Sequence, residues 1–423
     1  MKTRSSIGTR GTGALALICA LVTTGTGCGP QKGHWPQFRG PQRDLCSSET
    51  GLLKQWPVDG PPLVWKATGL GQGFSSVSVV DGMILTQGHF DGNEAVIALK
   101  ESTGDLIWNQ IVGPARLVEV PGSRSTPTVD GEHVYVQTVQ GDLACLEKAS
   151  GKIVWRRQLK KDFGGRSPGY GYSESPLVDR DRVICTPGGE HAALVALDKG
   201  TGETLWKAAV PEQDIAAYSS VIAIEVGGVR QYVQLMQKGV VGIRASDGVF
   251  LWREDSAANG SANCTTPVFH EGLIFGASAY ANGGALVRLV PQRDRCSAEL
   301  VYHTKHMKSL HGGFVILDGH IYGCDASILT CLNWSTGDVV WKDRSVGRGS
   351  VVYADGHLIL RSETGPLALV EVTSAGYQEK GRFEQPDRSD QFSWAYPVIA
   401  GGRLYLRDQD LLLCYDVRDH SRN

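Results

Sequence analysis

An all-β chain closed into an eight-bladed β-propeller is the fold this sequence predicts, on three observations. First, 53 glycines lie scattered among Val, Ile, Tyr and Trp in 423 residues, the composition of many short strands joined by tight turns. Second, a hairpin phrase with fixed internal spacing recurs along the chain. Third, a strand–turn–strand phrase precedes each hairpin and occurs eight times.

The hairpin phrase is clearest in Ala98-Leu-Lys-Glu-Ser-Thr-Gly104-Asp-Leu-Ile-Trp108 and Cys145-Leu-Glu-Lys-Ala-Ser-Gly151-Lys-Ile-Val-Trp155. It returns as Ala196…Gly202…Trp206, Gly242…Gly248…Trp252 and Cys331…Gly337…Trp341. A small residue stands six positions before the Gly, and the Trp stands four after it. The Gly supplies the positive φ of a turn, and the small residue marks a crowded inner strand. Cys145, Cys331 and Cys414 occupy that slot and read as small buried hydrophobes.

The preceding turns are Val80-Asp-Gly82, Val129-Asp-Gly131, Val178-Asp-Arg180, Val226-Gly-Gly228, His270-Glu-Gly272, Leu317-Asp-Gly319, Ala354-Asp-Gly356 and Ala400-Gly-Gly402, mostly 44 to 49 residues apart. Each unit therefore holds four strands, which is one propeller blade. The last unit lacks a Trp strand after Cys414, and Pro62-Leu-Val-Trp65-Lys66 supplies it from the other end of the chain. Such mixing of termini closes the ring and removes an exposed edge. Trp65, Trp108, Trp155, Trp206, Trp252 and Trp341 are the expected docking residues, with Tyr302 and Phe383 near the Trp positions of blades 5 and 7.

Lys2, Arg4 and Arg10 followed by the short apolar run 14–22 read as an export signal. Thr26-Gly27-Cys28 resembles the end of a lipobox with Cys28 as the lipidated residue. Gly25 stands where that pattern has Leu, so an ordinary signal-peptidase cut is the alternative. The expected organisation is a signal over 1–28, an extended linker over 29–60, the propeller over 61–418 and a tail over 419–423. Gly29 is not the Asp that retains lipoproteins at the inner membrane, which favours the periplasmic side of the outer membrane. The net charge of −2 argues against a nucleic-acid binder.

Gly-x-x-x-Trp hairpins repeated around eight blades resemble the tryptophan-docking repeats of the PQQ-type (quinoprotein) family. The segment Trp35-Pro-Gln-Phe-Arg-Gly-Pro41 looks like the opening of exported PQQ-like repeat proteins. The same form occurs in the BamB-like lipoprotein propellers of the outer-membrane assembly machine, which are scaffolds without a cofactor. The resemblance implies two readings: an exported, non-catalytic scaffold that binds a protein partner or extended ligand, or a PQQ- and calcium-dependent dehydrogenase of alcohols or sugars.

In a propeller, the loops entering the innermost strands converge on one rim, the default place for a ligand. Here they contribute Arg124, Tyr172, Glu174, Tyr218, Asn263, His311 and Trp394 as candidate binding residues. The alternative is that these side chains line a water-filled channel and satisfy one another. Glu174 and Asn263 have the oxygen chemistry of calcium ligands. Their flanking residues do not match the quinoprotein pattern, and the chain has no adjacent cysteine pair. No catalytic or metal-binding residue is assigned. Gly165-Arg-Ser-Pro-Gly169 fits the hydrolase elbow only formally, because that motif needs a strand before it and a helix after it. His303, His306 and His311 cluster in sequence, but the first two fall in an inter-blade linker.

Overall fold

In the computed structural model, which describes residues 33–115 and 120–422, each repeat folds as the four-stranded antiparallel sheet its two hairpins predict. Blade 2 is representative: its strands are Thr128–Asp130, His133–Gln137, Asp142–Glu147 and Ile153–Gln158, with Tyr135 paired to Cys145 and Cys145 to Trp155. The first strands of the other blades are Ser78–Val80, Leu177–Asp179, Ile222–Val226, Val268–His270, Phe314–Leu317, Gly349–Ala354 and Val398–Ala400. Blade 8 closes as expected: Leu63–Ala67 pairs antiparallel with Leu411–Asp416, setting Trp65 opposite Cys414. The export signal and Cys28 lie outside the described residues. Among the described residues, no helix is long and apolar enough to cross a membrane.

The small residue of the repeat sits directly across the hairpin from the Trp. Ala98 faces Trp108, Cys145 faces Trp155, Ala196 faces Trp206, and Cys331 faces Trp341. A β-bulge follows at this point in each sheet and turns the indole towards the next blade. There the indole N–H finds a backbone carbonyl: Trp65 donates to Glu101 O at 3.0 Å, Trp108 to Lys148 O at 3.0 Å, and Trp155 to Lys199 O at 2.9 Å. Trp206 reaches Ala245 O at 3.2 Å, and Trp341 reaches Thr373 O at 2.9 Å. At four of these joints the ring lies on the neighbour's turn glycine: Trp65 on Gly104, Trp108 on Gly151, Trp155 on Gly202 and Trp206 on Gly248. At Gly151, φ is +74°, and an added Cβ would fall 2.6 Å from Trp108.

Two of the eight joints use another aromatic residue. Tyr302 covers Gly337 and donates to Trp334 O at 2.9 Å, while Phe383 covers Gly60 and meets Trp56 and Tyr415 edge-on. Trp252 departs from the expected docking role. Its N–H turns back to Gln231 Oε1 of its own blade at 2.7 Å, over Gly242. The next blade explains this: its hairpin continues through Gly283–Gln292 and Arg295–Thr304 to the tight turn at Arg293 and Asp294, which has no glycine to receive an indole.

The expected linker is not a linker from residue 33 onward. Trp35, Leu45, Leu52 and Trp56 are buried, and the segment threads the ring axis, touching every blade. Trp35 exchanges backbone hydrogen bonds with Val79 of blade 1, and Pro36 O accepts from Val129 N of blade 2. Arg43 donates to Ser175 O and Pro176 O at blade 3 and to Val221 O at blade 4. Arg39 donates to Thr266 O at blade 5 (2.7 Å) and to Phe314 O at blade 6 (3.5 Å). Cys46–Ser47 adds a parallel strand to Tyr353 and Ala354 of blade 7. Ser47 Oγ donates to Ile399 O of blade 8, and Glu49 accepts from Gly401 N and Gly402 N.

Carbonyls around the axis need donors, and a guanidinium fork can reach several at once. Buried apolar residues on either side of the arginines, Trp35 before them and Leu45, Leu52 and Trp56 after, supply the driving force for burial. Burial lowers the Arg43 guanidinium to about 9, against the pull of Glu174.

Two outcomes follow for stability. Gly151→Ala should cost about 2–4 kcal/mol, from a strained positive φ plus overpacking against Trp108. Gly82→Ala, at φ +76° with nothing within 4 Å of its added Cβ, should lose only the first contribution, about 1–2 kcal/mol. Paired denaturant titrations separate the two. Arg43→Met, which leaves three carbonyls without their donor, should lower stability by about 3 kcal/mol in the same assay.

Candidate functional site

The axial segment closes the channel, and what remains is a funnel on the face of the entry loops. Its cavity holds about 270 Å³. Phe38 forms part of the lining, edge-on to Tyr396 at 5.3 Å. Phe74, Tyr170, Tyr218, Tyr280 and Trp394 add aromatic surface, with Leu310, Val120 and Ala262 between them. Arg124, Ser173, Cys264 and His311 are the polar or polarisable groups.

Four of the seven expected rim residues come together here. Arg124 lies 5.7 Å from the Phe74 ring centroid and donates to Gly122 O and Val120 O. The Tyr218 hydroxyl accepts from Tyr170 N at 3.2 Å. Trp394 stacks on Phe392 at 5.4 Å, touches Phe74 at 4.6 Å, and donates to Glu363 at 3.2 Å. The His311 ring lies 5.0 Å from Trp394, with Nε2 3.7 Å from the Glu363 carboxylate. Burial, reinforced by Arg348, lowers the His311 imidazole to about 3, so it is neutral at physiological pH.

The other three belong to the core. Tyr172 is buried between blades, and its hydroxyl donates to Pro187 O at 2.8 Å. Glu174 is buried and accepts from Thr186 N and Thr186 Oγ1 at 2.7 and 3.0 Å. Asn263 donates to Met236 O and Gln237 O, while its Oδ1 accepts from Asn259 N. In the run Gly169-Tyr-Gly-Tyr172, Tyr170 and not Tyr172 faces the funnel: the run is a loop that turns at Gly171 (φ +85°), and the Tyr172 ring lies against Gly141 and Leu159 between blades. Tyr280 was missed because it sits in a hairpin turn outside the repeat, and Phe392 because it precedes the Trp394 entry by two residues of loop with no signal of its own. Phe38 was missed because its segment reads as a tether.

The fit of quinone and calcium turns on Glu174 and Asn263. Burial raises the Glu174 carboxyl to about 7, so it resists ionising, and both of its oxygens already accept hydrogen bonds within blade 3. The Asn263 amide oxygen is held by its own loop. These side chains do not fit a calcium-bound quinone. Among the described residues, no three His, Cys, Asp or Glu side chains gather as a metal set. Gly165–Gly169 follows the short helix Leu159–Phe163 and not a strand, so no hydrolase elbow forms. His306 pairs with Asp325 at 3.3 Å, away from the funnel. A polar cleft of about 530 Å³ between blades 3, 4 and 5 is walled by charges that pair with each other, such as Arg230 with Asp179.

Fold and site together define an eight-bladed propeller with one aromatic funnel and an axis filled by its own chain. The sequence model for the family described as outer membrane protein assembly factor BamB matches residues 58–138 and 92–343, more than half of the sequence, and the chain belongs to that family. The chain is similar to BamB of Kangiella koreensis, 28% identical over 139 residues, covering 32% of each chain. Matches to the curated BamB relatives span 27% to 59% of those proteins' lengths. Among solved structures, BamB from Moraxella catarrhalis aligns with a TM-score of 0.59 at 13% identity, covering 85% of this chain and 98% of that one. Quinohemoprotein alcohol dehydrogenase from Comamonas testosteroni aligns with a TM-score of 0.62 at 13% identity, covering 91% and 80%. At that identity, both likenesses bear on the fold alone.

The raised Glu174 carboxyl sets a pH dependence. Its folded pKa exceeds the unfolded one, so the native state holds the proton longer, and this group's contribution to stability falls as pH rises from about 4.5 through 7. His311, lowered to about 3, acts in the opposite direction, so the informative quantity is a difference between variants. Glu174→Gln should gain stability relative to wild type on going from pH 5 to pH 8, as read by urea unfolding at both values.

Proposed function

We propose that this protein is a non-catalytic scaffold of the cell envelope, holding a protein partner on its funnel face. The observation that carries the reading is the axial segment. Arg39 and Arg43 occupy the centre of the ring and Phe38 lines the bottom of the funnel, leaving a shallow aromatic recess on a rigid frame. Family membership supports the same reading, since relatives are named for outer-membrane protein assembly. A basic and apolar N-terminus ending at Cys28 supports export and lipid anchoring on the periplasmic side, with the outer membrane favoured. The runner-up is a PQQ- and calcium-dependent dehydrogenase, which the structural likeness to an alcohol dehydrogenase keeps in view. The engaged Glu174 and Asn263 weigh against it.

The test has two arms. PQQ with Ca²⁺ titrated into the purified mature protein should give no saturable heat or absorbance change. A partner should co-purify from envelope extract and be lost when Tyr280 and Phe392 on the funnel face become Asp, but retained when the exposed Leu205 of an outer strand and Val249 of the turn before another do. Saturable, calcium-dependent quinone binding, or capture indifferent to the funnel variants, would contradict the scaffold.

A further inference from the structure

We infer that the chain enters the ring through the centre of the face opposite the funnel, so that a lipid on Cys28 sets that face against the bilayer and aims the funnel at soluble partner segments. This rests on the lipid-anchored scaffold reading and gives its partner a side of approach.

The path of the axial segment comes first. Gly33 N donates to Glu49 Oε1 at 2.7 Å, and the same carboxylate accepts from Gly401 N and Gly402 N, in the turn between the first two strands of blade 8. His34 Nε2 lies 3.7 Å from Asp81 Oδ1 in the corresponding turn of blade 1, and Trp35 pairs with Val79 near the turn end of its strand. The chain therefore enters among the innermost turns, beside the axis and between blades 8 and 1. Phe38, a few residues on, lines the funnel against Tyr396. Entry and funnel are on opposite faces of the ring.

Length then fixes the orientation. Cys28 precedes Gly33 by five residues, which span at most about 18 Å when fully extended. The outermost strand of a four-stranded blade lies about 14 Å beyond the first, and a strand of five or six residues is about 17–20 Å long. To bring the funnel face to the bilayer, the chain would have to cover both distances, more than about 30 Å. It is too short. Even an edge-on posture would use nearly all of its reach.

The turn face does not hold lipid by itself. Its arginines Arg182, Arg230 and Arg244 each pair with an aspartate, Arg180 lies between Asp179 and Asp181, and the carboxylates of Glu132 and Glu271 stand exposed. Anionic lipids are held by clustered, unpaired bases. The posture therefore comes from the covalent anchor, and the face lies at the bilayer without adhering to it.

The consequence is for the partner. The exposed rings at the funnel mouth, Tyr280, Phe392 and Tyr170, are presented to solution and not to lipid headgroups. The partner reaches them as a polypeptide segment from the aqueous side, not as a surface embedded in the membrane.

The experiment reconstitutes the intact lipidated protein into phosphatidylethanolamine–phosphatidylglycerol vesicles that carry nitroxide-headgroup lipids. A fluorophore is attached through azidophenylalanine placed at Glu132 on the turn face, at Leu205 on an outer strand, or at Gln391 beside the funnel; all three positions are exposed. The Glu132 label should lose most of its fluorescence and the Leu205 label less. The Gln391 label should lose none beyond that seen in vesicles without nitroxide. Cys28→Ser should stay in the supernatant when the vesicles are pelleted.

Quenching at Gln391 equal to or above that at Glu132 would overturn the inference. So would vesicle binding retained by Cys28→Ser, or an N-terminal peptide whose mass shows no diacylglyceryl group on Cys28. The scaffold reading would survive any of these if partner capture still depended on Tyr280 and Phe392. Calcium-dependent quinone binding would defeat that reading whatever the orientation.

Discussion

The structure depends on an aromatic plate at each blade joint, which at four of the eight is an indole laid on the next blade's turn glycine. A blade is a small sheet that cannot bury both faces alone, so it is stable only against neighbours. The indole supplies a large apolar plate and one N–H, and the next blade offers a flat glycine turn and one carbonyl. The glycine lets the plate lie close, and the carbonyl pairs a buried N–H; Trp341 keeps the carbonyl, Thr373 O, with no glycine beneath its ring. Other joints change chemistry. Trp252 meets no glycine in blade 5 and folds back on Gln231, and Phe383, with no N–H to satisfy, packs between Trp56 and Tyr415.

The axial segment answers a second constraint. Eight first strands meet around an axis and leave carbonyls there without lateral partners. Two arginines reach five of these across four blades, Trp35 N and Ser47 Oγ donate to others, and Glu49 accepts from backbone N–H groups of blade 8. Buried arginines also work away from the segment: Arg407 of blade 8 reaches Leu70 O and Gly71 O at the entry to blade 1, and Arg361 of blade 7 reaches Arg407 O. The consequence for function is direct. With the axis filled by the segment, the concave surface left on the entry-loop face is the funnel above it.

The ring was legible in the sequence because its determinants are local and repeated: a small residue, a turn glycine and a Trp at fixed spacing. Even the closing strand could be placed, since Trp65 filled a gap the repeat had left. The axial segment was not legible. Residues 33–56 have no periodicity, and their partners are backbone carbonyls on blades spread over most of the chain, which carry no sequence signal. The site was partly legible for the same reason. Arg124, Tyr218, His311 and Trp394 sit at the entry to first strands, where position follows from the repeat. Glu174 and Asn263 sit there too, but their direction depends on neighbours such as Thr186 and Asn259.

Hydrogen–deuterium exchange across residues 33–56 tests the central claim, that the ring is built around its own N-terminal segment. The backbone N–H groups of Trp35, Leu45, Leu53 and Trp56 donate to Val79, Arg39, Val417 and Lys380. Peptides from this stretch should therefore exchange as slowly as the first strands, opening only when the ring opens. Full exchange within seconds, with the blades still protected, would mean that the segment is a tether after all and the axis is open.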